Sequence, residues 1–238
     1  MKIEKITLTN SNSYLIINDD NKNALLVDTG SYLDKDMIDN KLNSLLGDIK
    51  LCGIILTHGH DISSSNALYL SNKYNAVCYL NKYDLDLLSN SNGAREIYTD
   101  DFLTKLKLNK IKKEMSETII DVPNNMNHIE GNDTFTKLGF SDVKVINLSG
   151  HTRGSIGILI GKKDLLCGDI LVNNNGKITT NLLYEEKASL NNSLETIKDI
   201  LPSTIHPLVG DSFNYEDYFK MEKIIIKKDN KKNNKKKK

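Results

Sequence analysis

Cysteine is scarce in this 238-residue chain. Cys52, Cys78 and Cys167 are odd in number, far apart, and form no C-x-x-C unit. That argues against a disulfide framework and against a cysteine zinc clip. No apolar run approaches the ~18 residues needed to span a bilayer. The N-terminus, MKIEKITLTN, has no apolar stretch behind its positive charge. It carries no secretory signal pattern, so a soluble, cytoplasmic protein is expected. No period of roughly 20–50 residues repeats, which leaves out a solenoid.

Net charge is also small, at +1, but it is unevenly spread. From Lys227 the tail KKDNKKNNKKKK holds eight lysines and one aspartate, or +7, which leaves residues 1–226 near −6. An acidic body makes a poor nucleic-acid surface. The tail, 227–238, is expected to be disordered, with nonspecific anionic contacts as its only partner chemistry. With 39% hydrophobic residues, 1–226 is read as one domain with a sizeable core.

What is present reads as two strand-rich halves. KIEKITLT, SYLIIND and NALLVDTG are apolar runs of strand length between Asn/Ser/Asp clusters. DKDMIDNKLNSLLGD has helical spacing with Gly47 as its C-cap. LCGIILT is a strand, SSSNALYLSNKY a helix with serine caps, AVCYLNK a strand and YDLDLLSN a short helix. Residues 93–120 are charged and helical, and read as an insertion or lid over a site. Strands resume with DTFTKL, DVKVINL, SIGILIG and DLLCGDIL. The helix ASLNNSLETIKDIL, the run TIHPLV and a last helix NYEDYFKMEKIII follow. Together these predict an α/β or α+β sandwich with sheets inside and helices outside.

There are only five histidines. His58 and His60 follow a predicted strand two residues apart, His151 is flanked by Gly150, and Asp169 ends another strand. Strand-end loops hold imidazole and carboxylate ligands rigidly, as zinc requires. Iron would accept two histidines and one carboxylate on one face.

These stretches, LLVDTG around Asp28, ILTHGH, SGHTRGSIGILI and LLCGDIL, resemble in order and spacing the metallo-β-lactamase-fold hydrolase superfamily, in its glyoxalase II-like branch. The resemblance runs from about residue 2 to about 220 and implies a four-layer αβ/βα sandwich, with the metal site at one edge between the sheets. The family motif H-x-H-x-D-H begins well at His58 and His60. Its aspartate then falls on Ile62 and its next histidine on Ser63. The late P-G-H-G falls on HPLVGDS, with Leu208 and Val209 at the glycine and histidine. The resemblance implies that His58, His60, His151 and Asp169 hold one metal, zinc or alternatively iron, and that the second metal has lost its own ligands.

Asp61 stands one place before the lost aspartate. It reads either as a first-turn helix carboxylate or, with Asp169, as a catalytic acid or base. His206 sits at an odd strand offset from Val209, which points it away from the site. Cys167 reads as core and His128 as part of an exposed connecting segment. Asp28 is expected to hold the histidine loop by hydrogen bonds. Gly150 and Gly154 should allow tight turns, and Thr57 and Thr152 should bond local backbone.

Three functions follow. One is a single-metal hydrolase in which the ion activates water against a small-molecule ester, thioester, lactone or amide. The second is a mononuclear iron enzyme acting on a sulfur compound through His58, His151 and Asp169. The third is a non-catalytic binding protein on the same fold.

Overall fold

The computed structural model describes residues 1–89 and 95–220. The expected tail, residues 221–226 of the last predicted helix, and residues 93 and 94 of the predicted insertion lie outside them. The elements in chain order are β1 (Lys2–Thr7), β2 (Asn12–Asn18), β3 (Asn23–Val27), α1 (Lys35–Leu46), β4 (Lys50–Ile55), α2 (Asp61–Ser64), α3 (Ala67–Tyr74), β5 (Val77–Leu80), α4 (Leu85–Ser89), α5 (Phe102–Glu117), β6 (Met126–His128), β7 (Val143–Asn147), β8 (Ile156–Ile160), β9 (Asp164–Gly168), β10 (Leu171–Asn174), β11 (Lys177–Thr180), α6 (Lys187–Ile200), β12 (Thr204–Pro207) and β13 (Phe213–Asn214).

The first sheet has the order β1-β2-β3-β4-β5-β6, the second β13-β12-β9-β8-β7, and β10 with β11 forms a separate ribbon. Alternation along each inner strand divides its side chains between two cores. In β2, Leu15 and Ile17 face the helix side, while Tyr14 and Ile16 face the other sheet. In β3, Ala24 and Leu26 go one way, and Leu25 and Val27 the other. Strands buried on both faces read as continuous apolar runs rather than alternating ones. One core packs Ile38, Leu42 and Leu46 of α1 and Ala67 and Leu70 of α3 against the first sheet. The middle core joins the sheets through Phe135, Phe140, Val145 and Ile158. The third packs Leu190 and Ile197 of α6 against Leu165 and Ile205. This is the four-layer αβ/βα sandwich.

Three local expectations need correction. SSSNALYLSNKY is not one helix but α2 and α3. Between them Asn66 turns its amide inward to the carbonyls of Thr29 and Ser31, at 2.8 and 2.7 Å. DTFTKL is not a strand: Phe135 is buried in the middle core, and Thr136–Leu138 is a 3-10 turn ending at Gly139, whose φ is +87°. His128 is exposed, as expected, but it lies in a short edge strand, β6, rather than in a connection. Among the described residues no helix is long and apolar enough to cross a membrane.

Candidate metal centre

β3, β4 and β5 run parallel, so their C-terminal ends meet at one edge of the first sheet. Asp28 lies there after β3, Thr57 to His60 after β4, and Asp84 just after β5. From the second sheet the β7–β8 loop brings His151, and the end of β9 brings Asp169. The Ile156 amide donates to the Thr57 carbonyl at 2.9 Å and clamps the two loops together.

The three imidazoles stand edge to face in a closed ring, with centroids 4.9, 5.0 and 4.9 Å apart. One ligand nitrogen from each lies within 4.8 Å of the others. His60 Nδ1 is 3.0 Å from His151 Nε2. Their protonation follows from their neighbours. His151 Nδ1 faces the Leu183 carbonyl at 2.9 Å, which can only accept, so Nδ1 carries a proton and Nε2 is the atom turned to the other rings. The Thr57 hydroxyl donates to the Asp28 carboxylate at 2.9 Å and so accepts from His58 Nδ1 at 3.2 Å, leaving the His58 Nε2 lone pair free. Burial, with the neighbouring histidines adding to it, lowers the pKa of both His58 and His60 well below the ordinary value, so both are neutral.

Asp169 stands beside this cluster. Its Oδ2 is 3.5 Å from His151 Nε2 and accepts from the Asn181 amide at 2.7 Å. Its Oδ1 has no partner within the protein, nor do His58 Nε2 and His60 Nε2, and all three atoms are buried. A buried polar atom left without a partner costs about 1–3 kcal/mol. A cation in the cluster would give such atoms a partner, and imidazoles with a carboxylate are the donor chemistry that zinc or iron takes. Burial pushes the Asp169 carboxyl up to about 6, against His151 and Asn181, which favour its charged form.

Asp28 holds the loop as expected. It sits at φ +61° and accepts from the Thr57 amide at 2.8 Å, from the Thr57 hydroxyl and from the Ser63 hydroxyl. Burial pushes its carboxyl up to about 7, against those bonds. Thr57 and Thr152 therefore bond side-chain carboxylates and not the local backbone, because both loops fold onto buried acids. Gly150 does need its conformation: its φ is +131°, and a Cβ there would lie 2.2 Å from the Leu190 amide nitrogen. Gly154 is required for close approach instead, since its Cβ would meet the Asp84 carboxyl carbon at 2.6 Å.

Asp84 is a residue that sequence reasoning missed. Fully buried, it accepts from Gly59 N at 3.1 Å, Gly154 N at 2.8 Å, Thr152 Oγ1 at 2.6 Å and Arg95 Nη1 at 3.0 Å. It thus ties the His58/His60 loop to the His151 loop. Arg95 also pairs with Asp86 and with Glu185, whose carboxylate accepts from the Arg153 amide at 2.8 Å. The signal was there: only two of the 32 basic residues are arginine, and an arginine kept in a lysine-rich chain points to a bidentate, buried role.

A cavity of about 180 Å³ opens over the cluster, lined on its floor by His60, His151 and Asp169 and on its walls by Asp61, Ile62 and others. Asp61 is the first residue of α2 and is half-buried. Burial raises its pKa, against the amides of Ile62 and its own backbone.

The family model described as the metallo-beta-lactamase superfamily matches residues 6–207. The chain belongs to that superfamily. Comparison with curated protein sequences returned no match. Solved structures of the superfamily share its fold. BLEG-1 B3 metallo-beta-lactamase is 18% identical with a TM-score of 0.66, over 91% of this chain and 95% of that one. TTHA1623 in a di-iron-bound form is 17% identical with a TM-score of 0.59, over 90% and 94%. ETHE1 from Myxococcus xanthus is 18% identical with a TM-score of 0.54, over 90% and 80%.

Within this superfamily chain, the positions that depart from the motif have other partners. Ile62 presents an aliphatic wall to the cavity. Ser63 is fully buried and spends its hydroxyl on Asp28. Leu208 is buried and bridges the sheets, its amide donating to Gly168 at 2.9 Å and its carbonyl accepting from Asn12 at 2.7 Å. Val209 shares a surface depression with Asp169. His206 points elsewhere, between Ser212 at 2.8 Å and Asp164 at 3.0 Å. Cys167 is core, with burial pushing its thiol up to about 12.

Proposed function

We propose that the chain is a metal-dependent hydrolase holding one ion per chain, zinc before iron, and cleaving an ester, thioester, lactone or amide of a small molecule. The observation that carries this reading is the convergence of three buried imidazoles with a carboxylate beside them, while Ile62, Ser63 and Val209 stand where a second ion would need donors. His58, His60, His151 and Asp169 would hold the ion. Such an ion supplies Lewis acidity toward a carbonyl and a water activated near neutral pH.

The chain's own groups do the rest. Asp84 and Asp28 keep the two histidine loops in register through the bonds described above. The cavity wall excludes bulk water from the reacting carbonyl. In the net reaction water oxygen bonds to the acyl carbon, and the bond from that carbon to the leaving oxygen, sulfur or nitrogen breaks with its electron pair. The leaving atom takes a proton, which Asp61, on the cavity wall beside Ile62, would carry in this reading because Ile62 cannot.

Metal analysis of protein purified without chelator tests this. The expected result is one zinc per chain, lost in His151→Ala, with hydrolysis of a simple ester by the loaded wild type. No metal, and no gain in melting temperature on adding zinc, would refute it.

A second reading, an iron enzyme acting on a sulfur compound, is favoured by one observation. Asp169 Oδ1 has no partner within the protein, and Oδ2 of the same carboxylate lies 3.5 Å from His151 Nε2, an arrangement that a two-histidine, one-carboxylate iron face would use. Iron in the same metal analysis, without ester hydrolysis, would select it.

A further inference from the structure

The cavity over the histidines has a composition that the metal site does not explain. Its walls are Ile62, Ile97, Ile111, Met115 and Leu183. Ile111 and Met115 come from α5, one helical turn apart, and so face the cavity together. Ile97 is buried, and its segment is pinned by the pair of backbone bonds between Tyr98 and Tyr184, at 2.8 and 3.0 Å. The polar groups are confined to the floor and to Asp61 and Asn181.

Among the described residues no lysine or arginine lines the cavity. Arg95 is already held by Asp84, Asp86 and Glu185. Away from an ion on the floor nothing there can pair with a carboxylate or phosphate, and the Asp61 carboxyl on the wall would repel one. The volume, about 180 Å³, sets the size of the guest. An apolar protein cavity of about 150 Å³ accommodates benzene, so this one holds a group of about six to eight heavy atoms.

We propose that the cavity is an acyl pocket for short, uncharged, apolar acyl groups, and that Ile111 and Met115 set the length limit. This rests on the hydrolase reading for its chemistry, but the pocket itself can be probed without turnover. Substrates with an acyl chain of about four to six carbons, or a single aromatic ring, then bring their carbonyl to the histidine floor with the apolar end under α5. Acyl groups that carry a second carboxylate are rejected.

The test has two arms on the full zinc-loaded chain. In the first, protein labelled at the methionine methyls is titrated with primary alcohols of two to ten carbons. The Met115 methyl, assigned with Met115→Leu, should shift with butanol and hexanol and not with decanol. In the second, 4-nitrophenyl esters from acetyl to decanoyl, and the hemisuccinate ester, are compared. kcat/KM should peak at butanoyl or hexanoyl and fall at least tenfold for decanoyl and for the hemisuccinate. Met115→Ala should move the peak to longer chains, and Ile111→Ala gives the same reading should that variant not fold.

A Met115 methyl that ignores butanol and hexanol, or responds equally to decanol, overturns the pocket. So does ester hydrolysis with no dependence on chain length or charge, although the hydrolase reading survives that result. A Met115 response of the expected kind with no ester cleaved upholds the pocket and removes the hydrolase reading.

Discussion

Thr152 donates its hydroxyl to a carboxylate 68 positions earlier in the chain, Asp84, at 2.6 Å. The same carboxylate takes the Gly59 and Gly154 amides, so a single acid holds both histidine loops. Asp84→Ala leaves the buried Gly59 and Gly154 amides without this acceptor and takes from Arg95 one of its three carboxylate partners, and breaking a buried pair costs about 3–5 kcal/mol. Denaturant unfolding should show a loss of that size. Asp84→Asn keeps the shape but not the charge, and should weaken zinc binding by about 10–100-fold by competition titration, as loss of groups that orient ligands does. Unchanged affinity in Asp84→Asn would mean that the loops position themselves.

The missing second site should be restorable. The triple variant I62D/S63H/V209H returns its three donors to the neighbourhood of Asp169. The zinc content should rise from one to two ions per chain, at a stability cost of about 1–3 kcal/mol because Ser63 no longer bonds the buried Asp28. A stoichiometry that stays at one would show that these positions do not face a common point.

Chelation should soften the protein. An ion binding only the folded state at 100 times its dissociation constant adds about 2.7 kcal/mol. Melting temperature should therefore fall on adding a chelator to the wild type and stay fixed in His151→Ala, by differential scanning calorimetry.

Asp34 predicts a pH dependence away from the site. Burial raises its carboxyl, but bonds from Thr9 N at 2.8 Å, Ser31 N at 3.0 Å and Ser31 Oγ at 2.7 Å outweigh that and lower its pKa below the ordinary value. A depressed folded-state pKa gives stability that is present above the unfolded value, near 4, and lost as pH falls through the folded one. Asp34→Asn should lower stability at pH 7 by about 2 kcal/mol and flatten the loss below pH 4 in acid titrations of urea melts.

Much of the fold could be read from period and punctuation. The runs around β2, β3, β4 and β8 are apolar throughout because both faces are buried, and Gly47 ends α1 at φ +52°. The four candidate ligands announced themselves by residue type and strand-end placement. What stayed hidden was set by tertiary partners. Asn66 breaks a helical pattern because two distant carbonyls need donors. The segment around Phe135 has strand composition but turns, because its ring fills the space between the sheets. Asp84 looks like any acid in YDLDLL until the loops that need it have folded onto it.

His60 and His151 are neighbours in space but 91 residues apart in the chain. During synthesis the first sheet can emerge with His58 and His60 in place, yet the third imidazole and the carboxylate arrive only with β8 and β9. An ion held there cannot seed folding, as it does in small zinc modules. Such an ion would be captured late, by a finished pair of sheets, and its presence would mark a chain whose two halves have closed on each other.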